Sequence, residues 1–535
     1  MRLVRELFAA QAESERLGVP AEELAAAARE QRRAGACGPS AYTRRELLVA
    51  GGALAAGVIA VGRADPARSA PAAPAPRVAI VGAGLAGLSC AHMLLTHHPR
   101  RPVISTVYEG NPSRAGGRCW TLRGFFGGSL VTEHGGAFID TKHRSIRALA
   151  ARLGLAEEVV NGGDLPSGED IYWIDGGYYT RREATADWSA VGYRAFRAAA
   201  RELGTPGGEM RLDSLSVPEW LDSTAIGSSS RLGKLLLANT VTENGGDPGE
   251  QSALDLIEIT AASPRGTLEL LPGDDELYHI AGGNDQIVSR IIERLPPGSV
   301  RLGHELSALR ANANGTVTLS FETDGVASEV VADLVVLALP FSRLRDVDLS
   351  ASALSAAKLR VIRTLGMGTN AKLHVELREK TWPRLGFAGA TYSEWDRYCC
   401  AWDDCVPQGA AASPALLLGF PGGHIGARGL TGAAHSSAPQ ADVDWFLGQI
   451  EPVFPGTRAA WTGRAYEDHW SEDPWVGGAY SYYRVGQAAG YGEIAAATEG
   501  PIHFAGEHTS LSDQGFLEGA VATGQRAARQ ILGLI

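Results

Sequence analysis

Strand, glycine turn, helix, strand, acid: that order, read from Arg77 to Glu109, constrains this chain more than any other feature. Arg77-Val-Ala-Ile-Val81 is a short apolar run. Gly82-Ala-Gly84-Leu85-Ala86-Gly87 follows directly, and Leu88 to Leu95 reads as a helix with apolar positions on one side. A dinucleotide pyrophosphate needs this order. Gly82 allows the tight turn, Gly84 lets backbone approach the phosphates, and Gly87 lets helix pack on strand. Leu85 and Ala86 stand inside the turn among the nucleotide contacts, where the helix start offers free N–H groups to an anion. The predicted second strand, Val103 to Tyr108, ends at Glu109-Gly110. An acid there is placed for a ribose hydroxyl and favours an unphosphorylated ribose, FAD or NAD over NADP. A lone glycine fingerprint says little in a chain with 66 glycines. Its place between strand and helix, with the acid at the next strand end, carries the assignment.

Four further blocks separate the two nucleotides. They are Arg114-Ala-Gly-Gly117-Arg118-Cys-Trp-Thr121, Glu133-His-Gly135-Gly136-Ala137-Phe138-Ile-Asp140, Phe504-Ala-Gly-Glu507-His-Thr509 and Gly515-Phe516-Leu-Glu-Gly-Ala-Val521. Together they resemble the signatures of the FAD-dependent monoamine, polyamine and L-amino-acid oxidases, over roughly residues 77–535 and most densely at the two ends. The resemblance implies an α/β fold of the p-hydroxybenzoate-hydroxylase/amine-oxidase kind. A Rossmann-like, discontinuous FAD-binding domain would come from 77–145, 272–345 and 470–535. An α+β substrate-binding domain would come from 146–271 and 346–469.

The same resemblance assigns roles. Arg118 would meet the pyrophosphate, with Gly117, Gly135, Gly136, Ala137 and Phe138 close to the cofactor. The backbone of Leu306 would contact adenine, Glu507 would bond a ribitol or ribose hydroxyl, and Gly515 would make the tight turn beside the flavin. Lys372, in Asn370-Ala-Lys372-Leu-His374, matches a lysine that holds a water against the flavin's reactive nitrogen; the plainer alternative is an exposed strand lysine. Tyr480 and Phe516 match two aromatic rings that guide a neutral amine over the flavin face. Ala479, in Gly477-Gly478-Ala479-Tyr480, stands where covalent relatives carry cysteine, so FAD is expected to be noncovalent.

The expected activity is oxidation of a primary or secondary amine to an imine, then a carbonyl compound, with dioxygen reduced to hydrogen peroxide. An L-amino-acid oxidase is the near alternative. It is disfavoured because Phe138 stands where such enzymes grip the substrate carboxylate with arginine, although Arg397 could supply that grip. A desaturase or protoporphyrinogen-type oxidase on the same fold is a rival, and a flavin-binding partner protein without turnover is a rival of another class. The helical stretch 184–271, with breaks expected at Pro206, Pro218 and Gly245-Gly246, carries no readable specificity code.

A net charge of −11 argues against a nucleic-acid or anionic-membrane partner. No CxxC pair or HExxH points to a metal, and a disulfide among Cys399, Cys400 and Cys405 is left open. A homodimer is also left open. Residues 1–76 read as a leader: Arg44-Arg45, an uncharged run from Leu47 to Gly62, then a Pro/Ala-rich segment. This is the layout of a twin-arginine export signal, giving a secreted or cell-envelope protein. An amphipathic helix with an incidental Arg-Arg, or an uncleaved anchor, is the alternative. The run is short of the roughly 20 residues that a stable membrane span wants.

Overall fold

Val78–Val81 is buried at all of its positions and lies in the middle of a five-stranded sheet. The order across that sheet is Ile502–Phe504, Leu334–Leu337, Val78–Val81, Ser105–Tyr108 and Val300–Arg301, every pair parallel. The computed structural model describes residues 76–98, 102–128, 130–160, 168–404 and 414–535. The twin-arginine segment, Cys37 and Cys405 lie outside them. Parallel strands covered on both faces read as unbroken apolar runs, and this one is covered on both. Val78 and Ile80 face a layer built from Leu85–Thr96, Arg144–Leu153, Gln286–Arg294 and the last helix, Leu517–Leu532. Ala79 and Val81 face a three-stranded antiparallel sheet, Glu305–Ala311, Val317–Thr323 and Val326–Ala332. Its second hairpin turns at Asp324-Gly325, both residues left-handed at φ 50° and 76°. Where the parallel strands end, Gly82 N–H donates to the Tyr108 carbonyl and Ala338 N–H to the Val81 carbonyl, each at 2.7 Å. The crevice beyond these carboxyl ends is where open α/β sheets bind ligands.

A second, eight-stranded sheet runs His435–Ser437, Trp461–His469, Ala371–Leu377, Ala415–Gly419, Cys400–Asp403, Phe387–Ser393, Glu169–Ile174 and Gly177–Thr180. Only the Phe387–Ser393/Glu169–Ile174 pair is parallel. Polar–apolar alternation predicts a half-buried Ala371–Leu377, yet all seven residues are buried. The reason is that each polar side chain on it finds a partner. Lys372 donates to two backbone carbonyls. His374 lies 3.4 Å from Asp404 and 3.3 Å from Asp468. Glu376 accepts from Arg464 at 2.8 and 3.0 Å and from Gly127 N–H at 2.6 Å.

Pro218 does not break a helix but starts one. It sits in the first turn of Val217–Asp222, where a missing N–H costs nothing. Arg231–Asn244 is buried from Leu235 to Thr242, packs against Phe387–Ser393, and stops at Gly245, φ 69°. Cys399 and Cys400 are free, buried thiols, so no disulfide joins them. Among the described residues, no helix is long and apolar enough to cross a membrane.

Candidate active site

One cavity of about 1060 Å³ runs from the glycine turn to the aromatic residues Tyr392, Trp402 and Phe420. Every residue expected at the site lines it except Gly87. Gly87 lies beneath the turn, where an added Cβ would run into the Gly82 carbonyl oxygen; only glycine lets the helix close on the strand. Gly84 is the opposite case. A Cβ on it would meet no protein atom within 4 Å, and its backbone, φ −68°, suits any residue. The fold itself does not require glycine at 84, whereas a phosphate brought against that backbone would. Glu109 turns its carboxylate to the same spot, accepting from Ala83 N–H at 2.7 Å and Asn111 N–H at 2.9 Å. Its pKa is raised, because burial outweighs those hydrogen bonds and the nearby Arg114.

Arg118 and Glu507, some 390 residues apart in sequence, form one unit. Arg118 Nη1 donates to Glu507 Oε1 at 2.9 Å and to the Ala479 carbonyl at 2.6 Å. Glu507 also accepts from Ser481 Oγ at 2.8 Å and Gly515 N–H at 3.0 Å. Burial opposes its ionisation, yet Arg118, His508 and these hydrogen bonds hold the carboxyl below its ordinary value. Gly515 takes φ 87°, a left-handed turn that seats it under Tyr480 and starts the last helix at Leu517.

Lys372 reaches from its buried strand to the Glu133 and Gly135 carbonyls, both at 2.7 Å. Burial lowers its pKa, partly offset by Asp404, Asp468 and Glu133. Behind it, His134 and His435 each place Nδ1 2.6 Å from one Asp468 oxygen. Those imidazoles, with His374, overcome burial and keep Asp468 ionised.

At the far end the Tyr480 hydroxyl donates to the Thr242 carbonyl. Phe516 packs edge-on to His143 at 5.2 Å, and Phe138 lies 6.1 Å from Trp402. Arg397 is not part of the wall; its Nε bonds Gln449 at 3.3 Å. The wall includes residues that sequence reasoning did not single out, chiefly Thr242, Glu243, Glu276 and His279. Glu243 comes from the stretch in which no specificity code was read. The available signal was an acid in the last helical turn before Gly245-Gly246, where negative charge is disfavoured.

Gly84 with its open side, the Glu109 carboxylate and a cavity continuing past Arg118 and Glu507 fit a long flavin dinucleotide. Fold and site thus define a flavoprotein with a Rossmann-type nucleotide half. The sequence pattern of the flavin containing amine oxidoreductases matches residues 85–532. The chain belongs to that family, and its cofactor is FAD. A flavin-dependent L-tryptophan oxidase of Lentzea aerocolonigenes is 29% identical over 495 residues, 85% of this chain and 97% of that one. The flavin-containing amine oxidase A of Equus caballus is 24% identical over 481 residues, 86% and 85% of the two chains. Among solved structures, cyclohexylamine oxidase from Brevibacterium oxydans superposes with a TM-score of 0.71 at 23% identity, over 86% of this chain and 99% of that one. A putrescine oxidase bound to putrescine gives 0.68 at 22%, with the same coverage. At these identities the structural likeness speaks for the fold.

Proposed function

We propose that this chain is an FAD-dependent oxidase of primary or secondary amines, yielding the imine and, after hydrolysis, a carbonyl compound, with dioxygen reduced to hydrogen peroxide. The observation that carries this is a single cavity whose wall runs from Gly84 to Lys372, Tyr480 and Phe516. Bound FAD would supply the two-electron redox chemistry between amine and dioxygen. The protein's own residues bind, orient and exclude water.

Arg118 and Glu507 anchor each other and would hold the cofactor's polar chain. Tyr480, fixed by Thr242, and Phe516, braced by His143, are the walls between which a neutral amine would be oriented. An ammonium must shed its proton before it can be oxidised, and an apolar wall favours the neutral form. Lys372 has three N–H donors, two of them on carbonyls; the third is free to hold a water at the flavin. Ala479 offers no thiol, so FAD is held noncovalently and leaves when the protein is denatured. The same reading assigns 77–145, 272–345 and 470–535 to the FAD domain and the remainder after residue 145 to the substrate domain. Export by the twin-arginine route is proposed on Arg44-Arg45 and the run after them.

Amines are preferred over amino acids because Phe138 lies near Trp402 where an arginine would be needed, and because acids, not bases, surround Tyr480. A two-point arginine grip on carboxylate is hard to replace. Oxidation of an L-amino acid is the second reading, favoured by the L-tryptophan oxidase likeness and by Arg181 on the cavity wall. Peroxide release from paired L-amino acids and their decarboxylated amines separates them. The amine of each pair should have the higher kcat/KM, and the reverse order across the panel would reject the first reading.

A further inference from the structure

A line of alternating charge runs behind Lys372. Asp468 stands directly across from Lys372 where Ala371–Leu377 pairs with Trp461–His469, so both side chains leave the sheet on one face. His374, two residues on, shares that face. Its Nε2 lies 3.3 Å from Asp468 Oδ2 and its Nδ1 3.4 Å from Asp404 Oδ2. On the other side of Asp468, His435 places Nδ1 2.6 Å from Oδ1 and Nε2 3.0 Å from Asp473 Oδ2. Arg114 ends the line, 3.7 Å from Asp473. Arg114 and Asp404, its two ends, both line the cavity. An imidazole with a carboxylate at each ring nitrogen carries both protons. Burial opposes that charge on His374 and His435, yet the two acids beside each ring raise its pKa. His134 meets Asp468 through Nδ1, and burial lowers its pKa. These contacts are N–H···O bonds: two donors on one zinc ion would stand about 3.3 Å apart.

The bonds of Lys372 go to the carbonyls of Glu133 and Gly135, and among the described residues no carboxylate pairs with it directly. Three acids act on it from further off, Asp404, Asp468 and Glu133. Glu133 is engaged by His279 at 2.8 Å and by Asn284 N–H at 2.8 Å, and burial raises its pKa. Asp404 and Asp468 stay ionised despite burial, because the imidazoles hold them, with Thr132 also on Asp404. Dioxygen takes two electrons and two protons from a reduced flavin to leave as hydrogen peroxide. The negative charge that gathers on it first is favoured by a fixed ammonium nearby. We propose that Asp468 and Asp404, bridged by His374, are positioning residues for Lys372: they keep its ammonium charged in a dry site and so set the upper pH limit of flavin reoxidation. This rests on the oxidase reading above.

The test uses the FAD-loaded enzyme with its flavin reduced by light, so that reoxidation by dioxygen is followed without any amine. The parent rate should hold on the acid side and fall as Lys372 loses its proton. At the pH where the parent has lost half its rate, Asp404→Asn should be about fivefold or more slower, as when the midpoint moves down by about one pH unit. The two should agree on the acid side, where Lys372 is charged in both, and Asp404→Glu should restore the parent profile. Asp468→Asn should act in the same direction; where it fails to fold, Asp404→Asn decides alone. Added to Lys372→Met, Asp404→Asn should change nothing further. Imidazole nitrogen resonances of the resting enzyme give a reading apart from turnover. His374 and His435 should stay doubly protonated above the ordinary histidine range, and Asp468→Asn should return His435 towards it. An Asp404→Asn profile that overlays the parent, equal slowing at every pH, or rings that titrate in the ordinary range overturns the proposal. A displaced Asp404→Asn profile in an enzyme that bleaches with no amine would instead reject the amine reading and leave the role of these acids standing.

Discussion

Lys372 has no room to be an exposed strand lysine: it is buried, and its ammonium is tied to the carbonyls of Glu133 and Gly135. A charge kept in such a place is expensive, and burial lowers the pKa accordingly. In the oxidase reading proposed above, that charge would assist the reduction of oxygen. Lys372→Met should therefore slow the oxygen-dependent return of flavin colour by about tenfold or more, about 1.4 kcal/mol, while anaerobic bleaching by substrate changes far less. The two carbonyls losing their donor should also cost about 1–3 kcal/mol of stability. Rapid mixing with oxygen reads the first effect; equal slowing of both half-reactions would make Lys372 structural only. Residues such as Glu109, Arg118 and Glu507 were legible because each sits in a block whose glycines allow few other uses. Glu243 was not, because nothing local to its helix announces that Tyr480, over two hundred residues later, packs against it.

At the scale of elements, the glycine turn separates two kinds of requirement that look alike in sequence. Gly87 is small because the protein's own backbone is in the way, Gly84 because something else must come close. Gly87→Ala should weaken folding even without cofactor, by about 1–3 kcal/mol. Gly84→Ala should leave apoprotein stability within about 0.5 kcal/mol. Its affinity for FAD should nevertheless fall about tenfold or more. Thermal unfolding of the apoproteins and titration with FAD check both; unchanged FAD affinity in Gly84→Ala would contradict a phosphate approach at that residue. The strand Ala371–Leu377 marks where sequence reading fails at this scale. Alternation is read as one wet face, but here the partners of Lys372, His374 and Glu376 come from Glu133, Asp468 and Arg464. Burial of a polar residue depends on distant partners, which periodicity cannot reveal.

Across the whole molecule, the five-stranded sheet gathers strands from residues 78 to 504. Val78–Val81 and Leu334–Leu337 can be found singly, as short apolar runs followed by Gly82 and, three residues on, Pro340; Val300–Arg301 and Ile502–Phe504 carry an arginine and a histidine and do not announce themselves. The eight-stranded sheet could not be ordered in advance, because the parallel pairing of Glu169–Ile174 with Phe387–Ser393 has no local signature. The export signal proposed at Arg44-Arg45 can be tested separately. Replacing Arg44 and Arg45 by lysine should retain active enzyme in the cytoplasm, and unchanged export of the double variant, followed by peroxide activity outside the cell, would rule out the twin-arginine route. Oxidation of an amine by the bound flavin can be watched in one experiment. The FAD-loaded enzyme is mixed with amines in the absence of oxygen, then exposed to air. Oxidation of an amine predicts that the yellow colour bleaches with about one equivalent and that air restores it with a matching amount of hydrogen peroxide. A flavin that keeps its colour with every amine in the panel, diamines included, would rule out amine oxidation.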